Sequence, residues 1–386
     1  MEKGFKEMKN CKNDNYAILF VSTSIYNKEQ FYATLTGKIF LELGKHIKVT
    51  STLYNPYLDI EKNEVVDDLF VERTVPCKHQ GIIGRLRNMV YILCNNIKVI
   101  KSGKYDLIWI PGTAAKVNML CFYRLLCPQI KFAIQMFTPS VNRGRIKRKI
   151  LNSILQFNLI FYKNLLVTKH WRQDKLFLPS KKMIEIEVGY PDYGFAEREK
   201  DNLRLLYVGT LSGRDIEKTV YGLKKVIEER KIQDISYDII GSGNRLAIQK
   251  VINAIIETEL SEVVTYHGFL SVEDLAAIMK KCNVGVSFVP LDSRYGYSST
   301  KTLEYLIAGM PVIATDNEVR RKFINSKTGV LCQDTVDSFA SAVYEMYLNK
   351  DKYDSKAIRE THLQYSIGET IKHSYLPKLL NLIRGT

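Results

Sequence analysis

Gly296-Tyr297-Ser298-Ser299-Thr300-Lys301-Thr302-Leu303-Glu304-Tyr305-Leu306-Ile307-Ala308-Gly309-Met310-Pro311-Val312-Ile313-Ala314 is the stretch that decides the fold. Its small, hydroxyl-rich opening caps a helix, Gly309 stops that helix, and a buried apolar strand follows at once. A helix delivered straight into such a strand is one half of a strand–helix–strand repeat. Lys301 and Glu304 lie three apart, hence on one helical face. A cation for a phosphate beside a carboxylate for sugar hydroxyls suits a nucleotide-sugar site. The same two residues also read as a surface ion pair on a capped helix.

Working outward, the repeat recurs along the whole chain. In the first half, strands are expected at Tyr16–Val21, His46–Thr50, Leu107–Ile110, Lys131–Met136, Leu165–Val167 and Ile184–Val188. In the second half they are expected at Leu203–Val208, Ser236–Ile240, Val263–Tyr266, Val284–Val289, Val312–Ala314 and Gly329–Leu331. Helix-length segments separate most of them, including Ile216–Arg230, Arg245–Thr258, Ser271–Lys280 and Asp337–Leu348. Such alternation implies parallel sheets covered on both faces. The expected fold is α/β, with two doubly wound, Rossmann-like domains in tandem.

Val188-Gly189-Tyr190-Pro191-Asp192-Tyr193-Gly194 punctuates the chain between them. The expected division is a flexible leader over 1–13, a first domain over 14–190 and a second over 191–365. The amphipathic segment 366–386, with Ile367, Ile371, Tyr375 and Leu379 spaced four apart, is expected to return to the first domain.

Among 386 residues, 56 Lys and Arg face 41 Asp and Glu. The excess lies wholly before residue 191, where 30 basic residues meet 15 acidic ones; 26 meet 26 in the rest. Seven cysteines without a C-x-x-C pair argue for reduced thiols and against a zinc or disulfide framework. The longest stretches without a formal charge, 15–27 and 150–162, are shorter than the ~20 apolar residues a membrane span needs. The polar N-terminus has no signal-peptide core, and a cytoplasmic location is expected. Without H-E-x-x-H, paired carboxylates or G-x-S-x-G, the metalloprotease, hydrolase and glycosidase readings lack their parts.

In open parallel sheets, ligands bind where strand C-termini meet helix N-termini. Two more loops fit that position. Tyr207-Val208-Gly209-Thr210-Leu211-Ser212-Gly213-Arg214 runs a strand into a Gly/Ser/Thr loop ending in a fixed cation, suited to phosphate oxygens. An ordinary turn with a surface arginine reads the same residues. Ile240-Gly241-Ser242-Gly243-Asn244 resembles half of a dinucleotide fingerprint, but Leu246 stands where its third small residue belongs. A Rossmann dehydrogenase is therefore poorly supported.

Taken in order, Y-V-G-T-L-S-G-R, I-I-G-S-G, Y-H-G-F and S-S-T-K-T-L-E-Y-L-I-A-G-M-P-V-I-A-T resemble the C-terminal half of GT-B-fold retaining glycosyltransferases of group 1, the GT4-like family. The similarity covers roughly 200–365; V-T-K-H-W-R-Q-D-K-L and E-V-G-Y-P-D extend it faintly upstream. The resemblance implies two domains facing a central cleft. It also implies donor contacts from Gly209, Thr210, Gly243, Gly268, Phe269, Ser299, Thr300 and Glu304. Glu304 resembles the second glutamate of the family's E-x7-E motif, which holds the ribose. Arg214 and Lys301 are the implied catalytic cations on the diphosphate. His267-Gly268-Phe269 resembles the turn that meets the base. Gly296 stands where the first glutamate of E-x7-E belongs, Thr210 replaces a common arginine, and no histidine appears in Met136–Pro139.

Between Glu72 and Asp174, 18 Lys and Arg meet one acidic residue, Asp106. Arg143, Arg145, Lys147, Arg148 and Lys149 form the densest run and lead into the apolar 150–162 segment. A basic segment beside an apolar helical face suits an anionic membrane surface or an anionic acceptor. A solvated helix end whose apolar face is core fits the same pattern. The expected activity is hexosyltransferase-type transfer from a nucleotide-diphosphate sugar to a hydroxyl of a glycan or lipid-linked acceptor, as in surface polysaccharide assembly. No cofactor or metal is expected, because Arg214, Lys301 and helix N-terminal amides can neutralise the leaving diphosphate. The family resemblance implies retention, with the donor phosphate taking the acceptor proton. A GT-B sugar-nucleotide epimerase and a non-catalytic basic membrane- or nucleic-acid-binding protein are the alternatives; no nucleic-acid motif is present.

Overall fold

The computed structural model describes residues 16–25, 31, 34–55, 64–66, 70–75, 81–112, 120–136, 145–168, 180–195, 199–291 and 300–385. The expected leader over 1–13 lies outside them. The chain divides into two compact units, Met1–Gly189 with Ile367–Thr386, and Tyr190–Ser366.

The first unit is built on β1 (Ala17–Ile25), β2 (Lys48–Asn55), β3 (Glu64–Val66), β4 (Phe70–Thr74), β5 (Leu107–Gly112), β6 (Phe132–Met136), β7 (Leu165–Thr168) and β8 (Met183–Ile186). They form one sheet in the order β3-β4-β2-β1-β5-β6-β7-β8. Every neighbouring pair is parallel except β3 with β4, so one edge departs from the all-parallel expectation.

Strand side chains alternate faces, and the two faces collect two cores. Ile18, Phe20, Leu107 and Trp109 pack with the helix Leu35–Leu43 and with Ile371, Tyr375 and Leu379 from the end of the chain. Leu19, Val21, Ile108 and Ile110 pack with the helices Ile82–Lys101, Leu120–Leu126 and Arg145–Ile160. The C-terminal segment is helical over Ile367–Thr370, widens into a π-turn over Ile371–Tyr375, and resumes over Leu376–Arg384.

The second unit carries β9 (Leu203–Val208), β10 (Ile235–Ile240), β11 (Val264–Gly268), β12 (Val284–Ser287), β13 (Val312–Thr315) and β14 (Gly329–Cys332). All are parallel, in the order β11-β10-β9-β12-β13-β14. The helices between them span Glu217–Arg230, Arg245–Glu257, Val272–Lys281, Thr300–Ile307 and Val336–Asn349. The winding proceeds from β9 outward to β11, then returns to β12 on the other side of β9. That reversal opens a crevice at the C-terminal ends of β9 and β12, the place where doubly wound sheets take ligands. Among the described residues, no helix is long and apolar enough to cross a membrane.

Candidate functional site

The crevice is walled on one side by three loops held against one another. After β9, the Gly209 N–H donates to the Ile240 carbonyl at 3.0 Å, and the Leu211 N–H donates to the Ser242 carbonyl at 2.9 Å. After β10, the Gly241 N–H donates to the Gly268 carbonyl at 2.7 Å, and the Asn244 N–H donates to Ser212 Oγ at 2.8 Å. Gly241 sits at φ +144°, and a Cβ there would overlap the Gly209 carbonyl oxygen. Only glycine lets these two strand ends approach so closely. Gly243 likewise leaves room for Leu211 and Ser212.

After β11, His267 Nε2 meets Asp238 Oδ1 at 2.6 Å, Gly268 turns the chain at φ +71°, and Phe269 is exposed. The structure thus brings Gly209, Thr210, Gly243 and Gly268 to one edge of the sheet.

The other wall is the helix Thr300–Ile307. It is seated by Tyr305, which is fully buried and accepts the Val208 N–H at 2.8 Å from the end of β9. Gly285 of β12 makes room for that ring, since a Cβ there would overlap it. Thr302 Oγ1 donates to Ser287 Oγ at 2.9 Å. The helix ends as the sequence implies: the Gly309 N–H donates to the Leu306 carbonyl and the Met310 N–H to the Tyr305 carbonyl, with Gly309 at φ +79°. This double bond pattern is the Schellman stop. Arg359 donates to the Ile307 carbonyl and holds Asp192 bidentately at 2.9 and 2.7 Å, which ties the boundary segment to the same helix.

So seated, the helix presents Lys301 and Glu304 together. Lys301 Nζ donates to Glu304 Oε2 at 2.6 Å; the carboxylate side chain is 4% exposed and the lysine 33%. The spacing rule places this pair correctly. The sequence gives no sign of Tyr193, whose hydroxyl also donates to Glu304. Burial, reinforced by the neighbouring carboxylate, holds that phenol well above its ordinary range.

Arg214 stands at the end of the β9 loop beside the Tyr207 hydroxyl, which donates to the Thr210 carbonyl at 2.7 Å. Burial raises the Tyr207 phenol and the Arg214 guanidinium opposes the rise.

A third cation is unforeseen. Arg320, fully buried, donates from Nη1 to the Thr315 carbonyl at 2.9 Å and to Thr315 Oγ1 at 2.5 Å. Burial, with the Arg214 charge adding to it, pushes the guanidinium down to about 10. Arg320 stands five residues beyond the last quoted motif, in the turn after β13, and only the fold brings it near Arg214, more than a hundred residues upstream. Thr300 begins the Lys301 helix; Ser299 lies outside the described residues.

Of the first-unit cations, Lys147 and Lys149 are exposed on the helix Arg145–Ile160. Arg145 and Arg148 belong to that helix, their side chains outside the described set, and Arg143 lies outside the described residues altogether.

Residues 202–349 match the family model of group 1 glycosyl transferases, so the second unit carries a glycosyltransferase domain and the chain is a glycosyltransferase. No curated protein matches the sequence. Among solved structures, sucrose-phosphate synthase from Thermosynechococcus elongatus is similar at TM-score 0.67 and 15% identity, over 96% of this chain and 100% of that one. HepE from Anabaena, in complex with UDP and glucose, is similar at 0.66 and 11%, over 95% and 99%. The pneumococcal O-GlcNAc transferase GtfA, in complex with UDP and GlcNAc, is similar at 0.66 and 10%, over 97% and 100%. At these identities the likeness establishes the fold, which is GT-B.

Proposed function

We propose that this glycosyltransferase moves a sugar from a nucleotide-diphosphate donor to a hydroxyl of a glycan or lipid-linked acceptor, with retention and without a metal. The observation that carries the reading is the buried Glu304 carboxylate paired with Lys301 on a helix seated at the reversal of the sheet, where the β9 loop also ends in Arg214. HepE and GtfA, of the same fold, are described with UDP and a sugar, which supports a uridine nucleotide as the first donor to try.

In this reading Glu304 accepts hydrogen bonds from the ribose hydroxyls, and Tyr193 holds the carboxylate in place. Lys301 then turns from Glu304 toward the diphosphate, which Arg214 meets from the β9 loop. Negative charge on the diphosphate grows as the glycosidic bond breaks, so these cations stabilise the transition state more than the ground state. The buried Arg320 adds positive potential without contact. Amide groups at the start of the Thr300–Ile307 helix favour the same anion. Three cations and a helix N-terminus are enough positive charge to make a divalent ion dispensable. The acceptor hydroxyl attacks on the face the leaving group departs from, and the departing phosphate oxygen takes its proton. The same reading places the reaction in the cytoplasm, in surface polysaccharide assembly.

A thermal-shift screen of nucleoside diphosphates and nucleotide sugars on the full chain, with chelator present, tests it. A ligand at a hundred times its Kd stabilises by about 2.7 kcal/mol. Unchanged melting with every nucleotide would refute the donor site. Conversion of a nucleotide sugar to its epimer without any acceptor would instead favour an epimerase.

A further inference from the structure

Of the nineteen large apolar side chains exposed among the described residues, twelve stand on three helices of the first unit: Ile82–Lys101, Leu120–Leu126 and Arg145–Ile160. These helices are neighbours in one layer over one face of the eight-stranded sheet. Their inner sides fill the core, through Leu93, Tyr123, Leu155 and Leu159 among others. Their outer sides are apolar as well. Ile82 is 80% exposed, Ile83 75%, Ile146 77% and Phe157 57%, with Leu86 and Leu125 beside them. Exposed large apolar side chains gathered on one layer of helices mark an interaction site.

The charge on the same helices selects the cover. They hold nine Lys and Arg and no Asp or Glu: four, one and four basic residues in chain order. A soluble partner would need an acidic, apolar face of matching shape, and a second copy of this chain would bring nine like charges against nine. An anionic lipid surface supplies both complements at once, headgroup charge for the cations and acyl chains for the isoleucines. No described helix is long and apolar enough to span. A surface of this type lies in the interface with its apolar side chains below the headgroups.

We infer that the outer face of these three helices docks the protein on an anionic membrane, in the plane of the interface. The inference stands on exposure and charge alone, whatever sugar nucleotide the second unit takes. For a lipid-linked acceptor, docking would place the enzyme where its substrate is.

The test is co-sedimentation of the full chain with vesicles of phosphatidylcholine alone or with a third phosphatidylglycerol, at low and physiological salt. Wild type is expected to pellet with the anionic vesicles and to stay in solution with the neutral ones. Two variants divide the contributions. Lys147→Glu with Lys149→Glu should lower the partition coefficient by more than about 25-fold, since each Lys or Arg near an anionic leaflet contributes about fivefold. Ile83→Glu with Phe157→Glu removes two apolar side chains and should release the protein even at low salt.

Circular dichroism and thermal melting confirm that each variant is folded, which such exposed positions permit. Wild type remaining in the supernatant at low salt overturns the inference. Full pelleting of the Ile83→Glu, Phe157→Glu variant overturns the apolar part and leaves a generic basic surface. A wild-type dimer by light scattering that this variant splits assigns the face to a second copy and overturns the membrane.

Discussion

Replacing Glu304 with Gln removes a charge and keeps the shape, which makes it the sharpest perturbation of the donor site. Two effects must be separated. The first is structural: Lys301 loses its carboxylate partner at 2.6 Å, but the lysine is one third exposed and can turn to water. A pair whose lysine end is one third open to water contributes about 1 kcal/mol, and Tyr193 can donate to the Gln oxygen instead, so melting should fall by no more than about 4 °C. The second effect is on ligand. A hydrogen bond to a charged group is worth about 1.5–3 kcal/mol net, which corresponds to a rise of roughly 10- to 150-fold in the Kd of a nucleoside diphosphate. Isothermal titration with UDP and with UMP measures it, and a 2′-deoxyribose analogue supplies the control. If Glu304 holds the ribose, the variant and the analogue should each lose affinity, and the two losses should not add. Unchanged UDP affinity in a folded Glu304→Gln protein would falsify the assignment; Glu304 would then be only the anchor of Lys301.

Arg214→Ala should lower kcat/KM by about 10²-fold or more with the fold intact, measured by steady-state release of the nucleoside diphosphate. A loss confined to KM would mean uniform binding instead of transition-state stabilisation. Gly241→Ala forces a Cβ onto the Gly209 carbonyl at a backbone angle only glycine takes readily, so it should cost more than about 4 kcal/mol and abolish soluble expression or cooperative melting. A stable Gly241→Ala protein would show that the β9 and β10 loops part without penalty. His362 is buried with Nδ1 2.7 Å from the Ile358 carbonyl, and burial holds its pKa below 6.5. As pH falls through about 6.5 the unfolded chain binds this proton before the folded one does, so stability should decline from that pH downward. His362→Gln should flatten part of the decline in melting temperature between pH 7.5 and 5.5; identical slopes would exclude this histidine.

How much of this was legible varied with the range of the interaction. The Thr300–Ile307 helix, its Gly309 stop and the Lys301–Glu304 pair were readable because capping and i,i+3 contacts are local. The twelve expected strands lie in or across observed ones for the same reason: a parallel strand buried on both faces must be an apolar run. β3 and β4 are not legible because β3 is the edge of the sheet and β4 lies next to it, and the charges in Glu64–Val66 and Phe70–Thr74 break any apolar run. Tyr193 and Arg320 escape sequence reading for the opposite reason, since only the tertiary fold brings Glu304 to the one and Arg214 to the other. The four-residue spacing of Ile367, Ile371, Tyr375 and Leu379 held a finer signal. Four residues overshoot an α-helical turn, and the wider π-turn at Ile371–Tyr375 keeps these side chains buried on one face.

The chain leaves its first unit after Gly189 and re-enters it at Ile367. On the ribosome this inverts the usual order of maturation. The sheet of the first unit emerges early but lacks Ile371, Tyr375 and Leu379 over one face until those residues are made, while Tyr190–Ser366 is an uninterrupted segment that can close beforehand. The unit encoded second is therefore the one able to finish first, and the first must wait with an open apolar face. The same asymmetry governs dissection: residues 190–366 are the natural autonomous fragment, whereas a stop codon after Gly189 yields a sheet without its cover.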